Sequence, residues 1–257
     1  MSADTSIVTM TGAERANDPY RDARIDLAAA FRWTARLDMH EAVANHFSLA
    51  VSGDGHTFLV NPHGRHFSRI RASELLLVDA DDPDTMNRPD APEPTAWFIH
   101  GAIHRNVPQA RCALHVHSRY ATVLACLADS TMPPIDQNTM RFYGRLAIDE
   151  TFGGLGLAEE GERISTTLGD NTVLVMANHG VMAVGETLAE AFDELYYFER
   201  ACRTLITAYS TGRPLRIARH EIAALTAQQW LDYKDGPKNH FREIKAILDA
   251  EEPDYQT

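Results

Sequence analysis

Residues 172–192 read TVLVMANHGVMAVGETLAEAF, and the period of their pattern changes twice. Thr172–Ala177 is a short apolar run and Val181–Val184 a second, joined by a tight turn at Asn178-His179-Gly180. From Leu188 the spacing becomes helical. Leu188, Phe192, Leu195, Phe198, Cys202, Leu205 and Tyr209 recur three or four residues apart and make one apolar stripe. Thr187-Leu188-Ala189-Glu190 is a capping box, in which the Thr hydroxyl and the Glu carboxylate satisfy free amides at the helix start. Gly212 and Pro214 are the matching stop signals.

Toward the N-terminus the same reasoning predicts a helix from Tyr20 to about Ala44, with Ile25, Ala28, Phe31 and Ala35 at helical spacing. HFSLAVS (His46–Ser52) and HTFLV (His56–Val60) flank Gly53-Asp54-Gly55 and read as a hairpin. A third strand is expected at Glu74–Val78 and a helix at Thr95–Asn106, stopped near Pro108. Cys112–His117 reads as a strand, followed by a helix through Leu127. Ser130–Gly156 has no sustained period beyond a short strand near Leu146–Ile148, and Ala158–Leu168 looks helical. Strands and helices alternate irregularly, with hairpins, which predicts one α/β domain around a mixed, largely antiparallel sheet. Residues 1–18 are polar and read as a flexible arm, 19–215 as the domain, and 216–257 as a helical extension. Trp230, Tyr233 and Phe241 give that extension a surface to pack on a neighbour or cover a site.

The 257 residues are 44% hydrophobic and 23% charged, enough apolar content to bury a core. A formal charge of −12 argues against nucleic acid and anionic membrane as partners, because both reward a basic surface. Cys112, Cys126 and Cys202 are odd in number and widely spaced, so they read as small core residues rather than a disulfide framework. No apolar stretch is long enough to span a bilayer, and the first residues lack a secretory pattern. The expectation is a soluble cytoplasmic protein.

Among the 12 histidines, His115 and His117 are one residue apart on a predicted strand, so both imidazoles point to the same face. His179 sits in the turn after a buried strand, where it can project into a cleft. Each also fits a plainer role, as a polar strand pair and a hydrogen-bonded turn residue. Three neutral imidazoles would suit Zn²⁺ first, and Mn²⁺, Co²⁺ or Fe²⁺ as alternatives.

The motifs in combination resemble the class II aldolase/adducin family, in its adducin-like branch. NHFSLAV (45–51), FLVNPHG (58–64), TAWFIHGAIH (95–104), ARCALHVHS (110–118) and VLVMANHGVMAVGETLAEAF (173–192) match in order, over roughly Leu37–Leu215. The resemblance implies a three-layer αβα fold around a largely antiparallel sheet, and a cyclic homotetramer with active sites at subunit interfaces. It also implies a divalent metal on His115, His117 and His179. Sugar-phosphate aldolases of the family carry Ser-Ser-Glu where this chain has Pro94-Thr95-Ala96, so the family's acidic base is missing and Glu93 lies three residues away.

A metal ion that polarises an oxygen next to a breaking C–C bond serves retro-aldol cleavage and decarboxylation alike. Only the former needs a base for a substrate hydroxyl, so the missing Glu moves the expectation toward decarboxylation. The substrate expected is a small hydroxy- or oxo-acid; the resemblance, through family members that decarboxylate hydroxylated aromatic acids, implies that these are included, and Trp97, Phe98, Phe142, Tyr143 and Phe152 could line a pocket for them. His46, His63, His100 and Tyr143 are the candidates for proton transfer, with His104 one turn from His100. Arg141 and Arg145 are the cations available to a substrate carboxylate. The alternative is an adducin-like binding or scaffolding module that has lost turnover.

Overall fold

Several strands of this chain are apolar on both faces, so the sheet they form has to be covered twice. The computed structural model describes residues 9–154 and 158–257. It begins with α1 (Gly12–Ala16), α2 (Arg21–Arg36), β1 (His46–Ala50), β2 (Thr57–Val60) and β3 (Leu76–Asp79). Next come α3 (Pro94–Asn106), β4 (Cys112–Val116), α4 (Arg119–Ala125), α5 (Gln137–Arg141), β5 (Leu146–Asp149) and α6 (Ala158–Leu168). The chain ends with β6 (Val173–Met176), β7 (Gly180–Gly185), α7 (Leu188–Ser210), α8 (His220–Asp232) and α9 (Asp235–Glu251).

The sheet order is β3-β2-β1-β4-β7-β6-β5, and every pairing is antiparallel except β5 with β6. On one face Phe47, Leu59, Leu114, Val116, Val175 and Val181 share a core with side chains of α2, α4, α7 and α9. On the other, Ala113, Leu174, Met182 and Val184 pack with Ile99 and Ile103 of α3 and Ile164 and Leu168 of α6. The architecture is the three-layer αβα expected, and the capping box of α7 is formed in both directions.

Some boundaries differ from the sequence reading. The helix expected to reach Ala44 stops at Arg36, because Asp38 (φ 54°) and Ala42 (φ 46°) adopt left-handed backbone that a helix excludes. The expected loose arm contains α1, with its own Thr11–Glu14 capping box, and Met10 donates to the Ser73 carbonyl. Cys126, expected in the core, is exposed.

The C-terminal helices are tied into the chain's own core. Phe241, Ile244, Leu248 and Tyr255 are buried with residues of α2 and α7, so Phe241 has no surface for a neighbour. The buried Arg32 guanidinium reaches Glu252 (3.1 Å), Asp254 (2.9 Å) and the Ile70 carbonyl (2.9 Å). Ending the chain at Leu215 would expose that apolar surface and leave Arg32 buried without its carboxylates, a combination that strongly destabilises folded proteins. The truncated chain is expected to be insoluble or to melt well below the full chain. An unchanged melting temperature would show that 216–257 is a dispensable appendage.

Candidate metal centre

His115 and His117 lie at the C-terminal end of β4, near the middle of the sheet, and His179 lies in the turn joining β6 to β7. Because β7 pairs with β4, that turn is delivered beside the two strand histidines. One ligand atom from each of the three residues lies within 4.8 Å of the others, and the ring centroids are 4.8–4.9 Å apart. The left-handed residue of the turn is Asn178 (φ 56°), a residue type that tolerates this backbone. Gly180 serves a different need from the turn geometry expected of it. A Cβ there would stand 2.6 Å from the Val116 carbonyl and 2.8 Å from the His117 ring.

The far sides of the rings fix the near sides. His115 Nδ1 donates to the Val181 carbonyl (3.0 Å), and His117 Nδ1 donates to Glu41 Oε2 (2.5 Å). Where each ring carries a single proton on Nδ1, both Nε2 atoms are lone pairs, and they face each other 3.0 Å apart. His179 Nδ1 is buried without a hydrogen-bond partner among the described residues. Burial, followed by the charges of neighbouring histidines, holds His115 well below the usual imidazole range and lowers His179 to about 4. Three imidazoles with converging nitrogens, two of them oriented by outer acceptors, are a donor set that fits a borderline-soft divalent cation.

Beside the cluster runs a line of buried polar groups on the same face of the sheet. His46 pairs across the strands with His115, and their ring centroids are 4.8 Å apart. His46 Nδ1 meets His100 Nε2 at 2.7 Å, and His100 Nδ1 meets the Ser48 hydroxyl. That hydroxyl meets His104 Nε2 at 2.7 Å, and His104 Nδ1 donates to the Ala110 carbonyl at 2.7 Å. Burial is the main reason all three rings are hard to protonate: His46 is lowered to about 3, His104 to about 4, and His100 well below the usual range.

Of the other sequence candidates, His63 stands exposed in the loop after β2 and makes no hydrogen bond to a described residue. The Tyr143 hydroxyl meets His220 Nδ1 (2.9 Å) at the start of α8. Arg141 is buried against Asp193 (2.8 Å) and Glu194 (2.9 Å), and Arg145 reaches Thr172 (3.1 Å) and Glu194 (3.4 Å). Both arginines are therefore engaged within the protein rather than free for a substrate carboxylate. Phe142 packs on Phe198 in the core, and Trp97 donates to the Asp79 carbonyl. Phe152 is 45% exposed with its ring 6.0 Å from His179, which places it at the cluster. Glu93 caps α3 through the Ala96 amide, and Ala96 itself is buried among apolar side chains.

Sequence reasoning missed Glu41 and the linking role of Ser48. Glu41 is delivered by the left-handed break after α2, with its own amide held by Asn45 Oδ1 (2.6 Å). No periodicity encodes such a break. Ser48 did carry a signal, since it is two residues from His46 on a strand and must share its face.

The family profile described as Class II Aldolase and Adducin N-terminal domain matches residues 25–206. A solved structure of an aldolase II superfamily protein from Pseudomonas syringae superimposes with a TM-score of 0.86 at 30% identity, covering 96% of this chain and 100% of that one. Decarboxylase NovR of Streptomyces niveus is 29% identical over 93% of this chain and 90% of its own. A Streptomyces roseochromogenus protein named 4-hydroxy-3-prenylphenylpyruvate oxygenase/4-hydroxy-3-prenylbenzoate synthase is 30% identical over 82% of this chain and 78% of its own.

Rings kept neutral by burial make stability depend on pH. An unfolded histidine titrates near 6.5, whereas folded His104 titrates at about 4. Between those values the unfolded state binds more protons, so stability increases with pH and is lost as pH falls from about 6.5 toward 4. Denaturant midpoints of chelator-treated protein should drop from pH 7 to pH 5.5, where carboxylates are still largely ionised. Equal midpoints would refute the neutral buried chain.

Proposed function

The chain belongs to the class II aldolase and adducin family, and we infer that within it the protein is a divalent-metal-dependent carbon–carbon lyase acting on a small hydroxy- or oxo-acid. Decarboxylation of a hydroxylated aromatic acid is the reading best supported. The observation that carries it is the all-histidine cluster of His115, His117 and His179, whose ligand atoms lie within 4.8 Å. Two further facts favour decarboxylation over aldol cleavage. Position 96, where the aldolases hold their base, is a buried Ala, and Glu93 is engaged as a helix cap. The name of the Streptomyces niveus relative, a decarboxylase, supports the same class, and that of the Streptomyces roseochromogenus relative, an oxygenase and synthase of hydroxylated phenylpyruvate and benzoate, supports the aromatic substrate.

When bound, the ion would polarise a substrate oxygen and offset the negative charge that gathers beside the breaking bond. The chain's own residues supply the rest. His115, His117 and His179 would hold the cation, with Zn²⁺ first and Mn²⁺, Co²⁺ or Fe²⁺ as alternatives. Glu41 and the Val181 carbonyl would keep the first two rings aimed. Phe152 offers a ring face to an aromatic substrate. His46 is the acid–base candidate retained, because it adjoins the cluster, whereas both ring nitrogens of His100 are engaged within the protein, Tyr143 meets His220, and His63 is exposed in the loop after β2.

The reading includes a cytoplasmic homotetramer with sites between subunits. The exposed apolar side chains Val43, Val123, Leu127 and Phe152 lie on segments that carry or adjoin the cluster, where a neighbouring subunit could cover them. Among the described residues no helix is long and apolar enough to cross a membrane.

The first test is elemental analysis of the full chain dialysed without chelator, beside His117→Ala. One divalent transition metal per subunit, lost in the variant, is the expected result. No metal in either protein, even after Zn²⁺, Mn²⁺, Co²⁺ and Fe²⁺ are added back, would overturn the lyase reading and favour the adducin-like binding module. The metal-bearing protein, given a panel of hydroxylated aromatic oxo-acids, should release CO₂. Aldehyde without CO₂ would replace decarboxylation by aldol-type cleavage. Separately, Glu41→Ala should weaken metal affinity by roughly 10- to 100-fold, the usual effect of losing an outer partner of a ligand, and unchanged affinity would remove Glu41 from the centre.

A further inference from the structure

The polar line beside the cluster has a direction. Its far end is the Ala110 carbonyl, which can only accept, so His104 Nδ1 must carry the proton (2.7 Å). Both rings remote from the cluster, His100 and His104, are 4% exposed or less, and burial keeps them neutral. Neutral His104 therefore offers Nε2 as an acceptor, and the Ser48 hydroxyl spends its single proton there (2.7 Å). The Ser48 oxygen then accepts from His100 Nδ1. His100 Nε2 is left to accept from His46 Nδ1 (2.7 Å). Each step follows from the one before it, and in a His46 ring that carries a single proton the last leaves Nε2 as a lone pair.

We propose that Ser48, His100 and His104 are positioning residues: with the Ala110 carbonyl they form a one-directional hydrogen-bonded chain that holds His46 in its Nδ1–H tautomer and presents its Nε2 lone pair beside the His115–His117–His179 cluster. The chain does not conduct protons to solvent, because it ends on a carbonyl that has none to exchange. Its work is to make His46 an acceptor, and the group it suits is a hydroxyl of the substrate. This deepens the lyase reading and rests on it only for that substrate contact.

A purely structural role accounts poorly for the same groups. Replacing both members of a buried hydrogen-bonded pair with apolar side chains of similar shape costs little, whereas leaving one member unpaired is expensive. The neighbouring part of this face is built from Ala50, Phe58, Val60, Leu76 and Val78, with nothing polar among them. Four consecutive polar side chains thus run through a face that could have been apolar, and their free end is at the cluster.

Neutron diffraction on deuterated crystals of the full chain tests the proposal directly. Deuterium is expected on Nδ1 of His46, His100 and His104, with Nε2 of each bare and the Ser48 deuteron directed at His104. Deuterium on Nε2 of His46 or His100 would overturn it. A second measurement asks whether the chain is the cause. In ¹⁵N-histidine-labelled Ser48→Ala, His100 loses the acceptor for Nδ1, so His100 and His46 should flip together to their Nε2–H tautomers and move their ring ¹⁵N resonances. In His104→Gln, whose amide can donate to Ala110 and accept from Ser48, the His46 resonances should keep the wild-type pattern. Unchanged His46 resonances in Ser48→Ala would show that something other than the chain sets the tautomer. If that variant does not fold, the neutron map of the wild-type protein decides alone. Neither experiment involves turnover, so failure of the chain and failure of the lyase reading are separate results.

Discussion

The close approach of β7 to β4 at Gly180 is the constraint on which the functional end of the sheet depends. The Val116 carbonyl lies 2.6 Å from where a Cβ of Gly180 would be, so any other residue there would push the strands apart. That contact begins the β4–β7 ladder, whose register runs from Val116–Val181 to Cys112–Gly185. It also sets how near the β6–β7 turn comes to the end of β4, and hence whether His179 can meet His115 and His117. A shift of one residue would turn every β7 side chain to the opposite face. It would place Met182 and Val184 in the α2–α7 core and Val181 and Ala183 under α3 and α6, undoing both layers at once.

The cluster opposes folding locally. Two imidazole lone pairs 3.0 Å apart repel until a cation or proton lies between them, and His179 Nδ1 is buried without a partner among the described residues. Strand pairing on both sides of β4 and the apolar core beneath it have to outweigh that cost. This explains why the histidines lie near the middle of the sheet rather than at an edge. A central strand is held by two neighbours, and its dihedrals are not free to relax the contact.

The parts of the fold legible in the sequence were those governed by period and capping. The helix from Leu188, the hairpin of β1 and β2, and the shared face of His115 and His117 all follow from local rules, and the structure has them. The end of α2 was not legible, because Ala42 holds left-handed backbone that its residue type does not announce and a lone Asp38, though it tolerates that backbone, is too common a residue to mark a break. The candidate centre divides in the same way. The three histidines could be grouped by motif, and His46 and His100 named, but Glu41 reaches His117 through a non-periodic loop and had no local signal. Arg141 was misread as an available cation because its partners, Asp193 and Glu194, lie about fifty positions away on another helix.

Two of the buried polar systems are separated by their chemistry. Around Arg141 opposite charges meet: the guanidinium lies between two carboxylates and stacks on Tyr197, and Asp193 also receives His240 (2.7 Å). Such a system ties α5, α7 and α9 together, which is a structural task. The chain from Ala110 to His46 carries no net charge and leaves one nitrogen over. His46 Nε2 makes no hydrogen bond to a described residue, so a donor from outside the chain can complete it. Since the nitrogen belongs to a ring 4.8 Å from His115, a group that completes it would lie beside the histidine cluster. On the proposed reading the two features describe one binding site, in which three histidines would hold a cation on one side and a hydroxyl-seeking lone pair stands on the other.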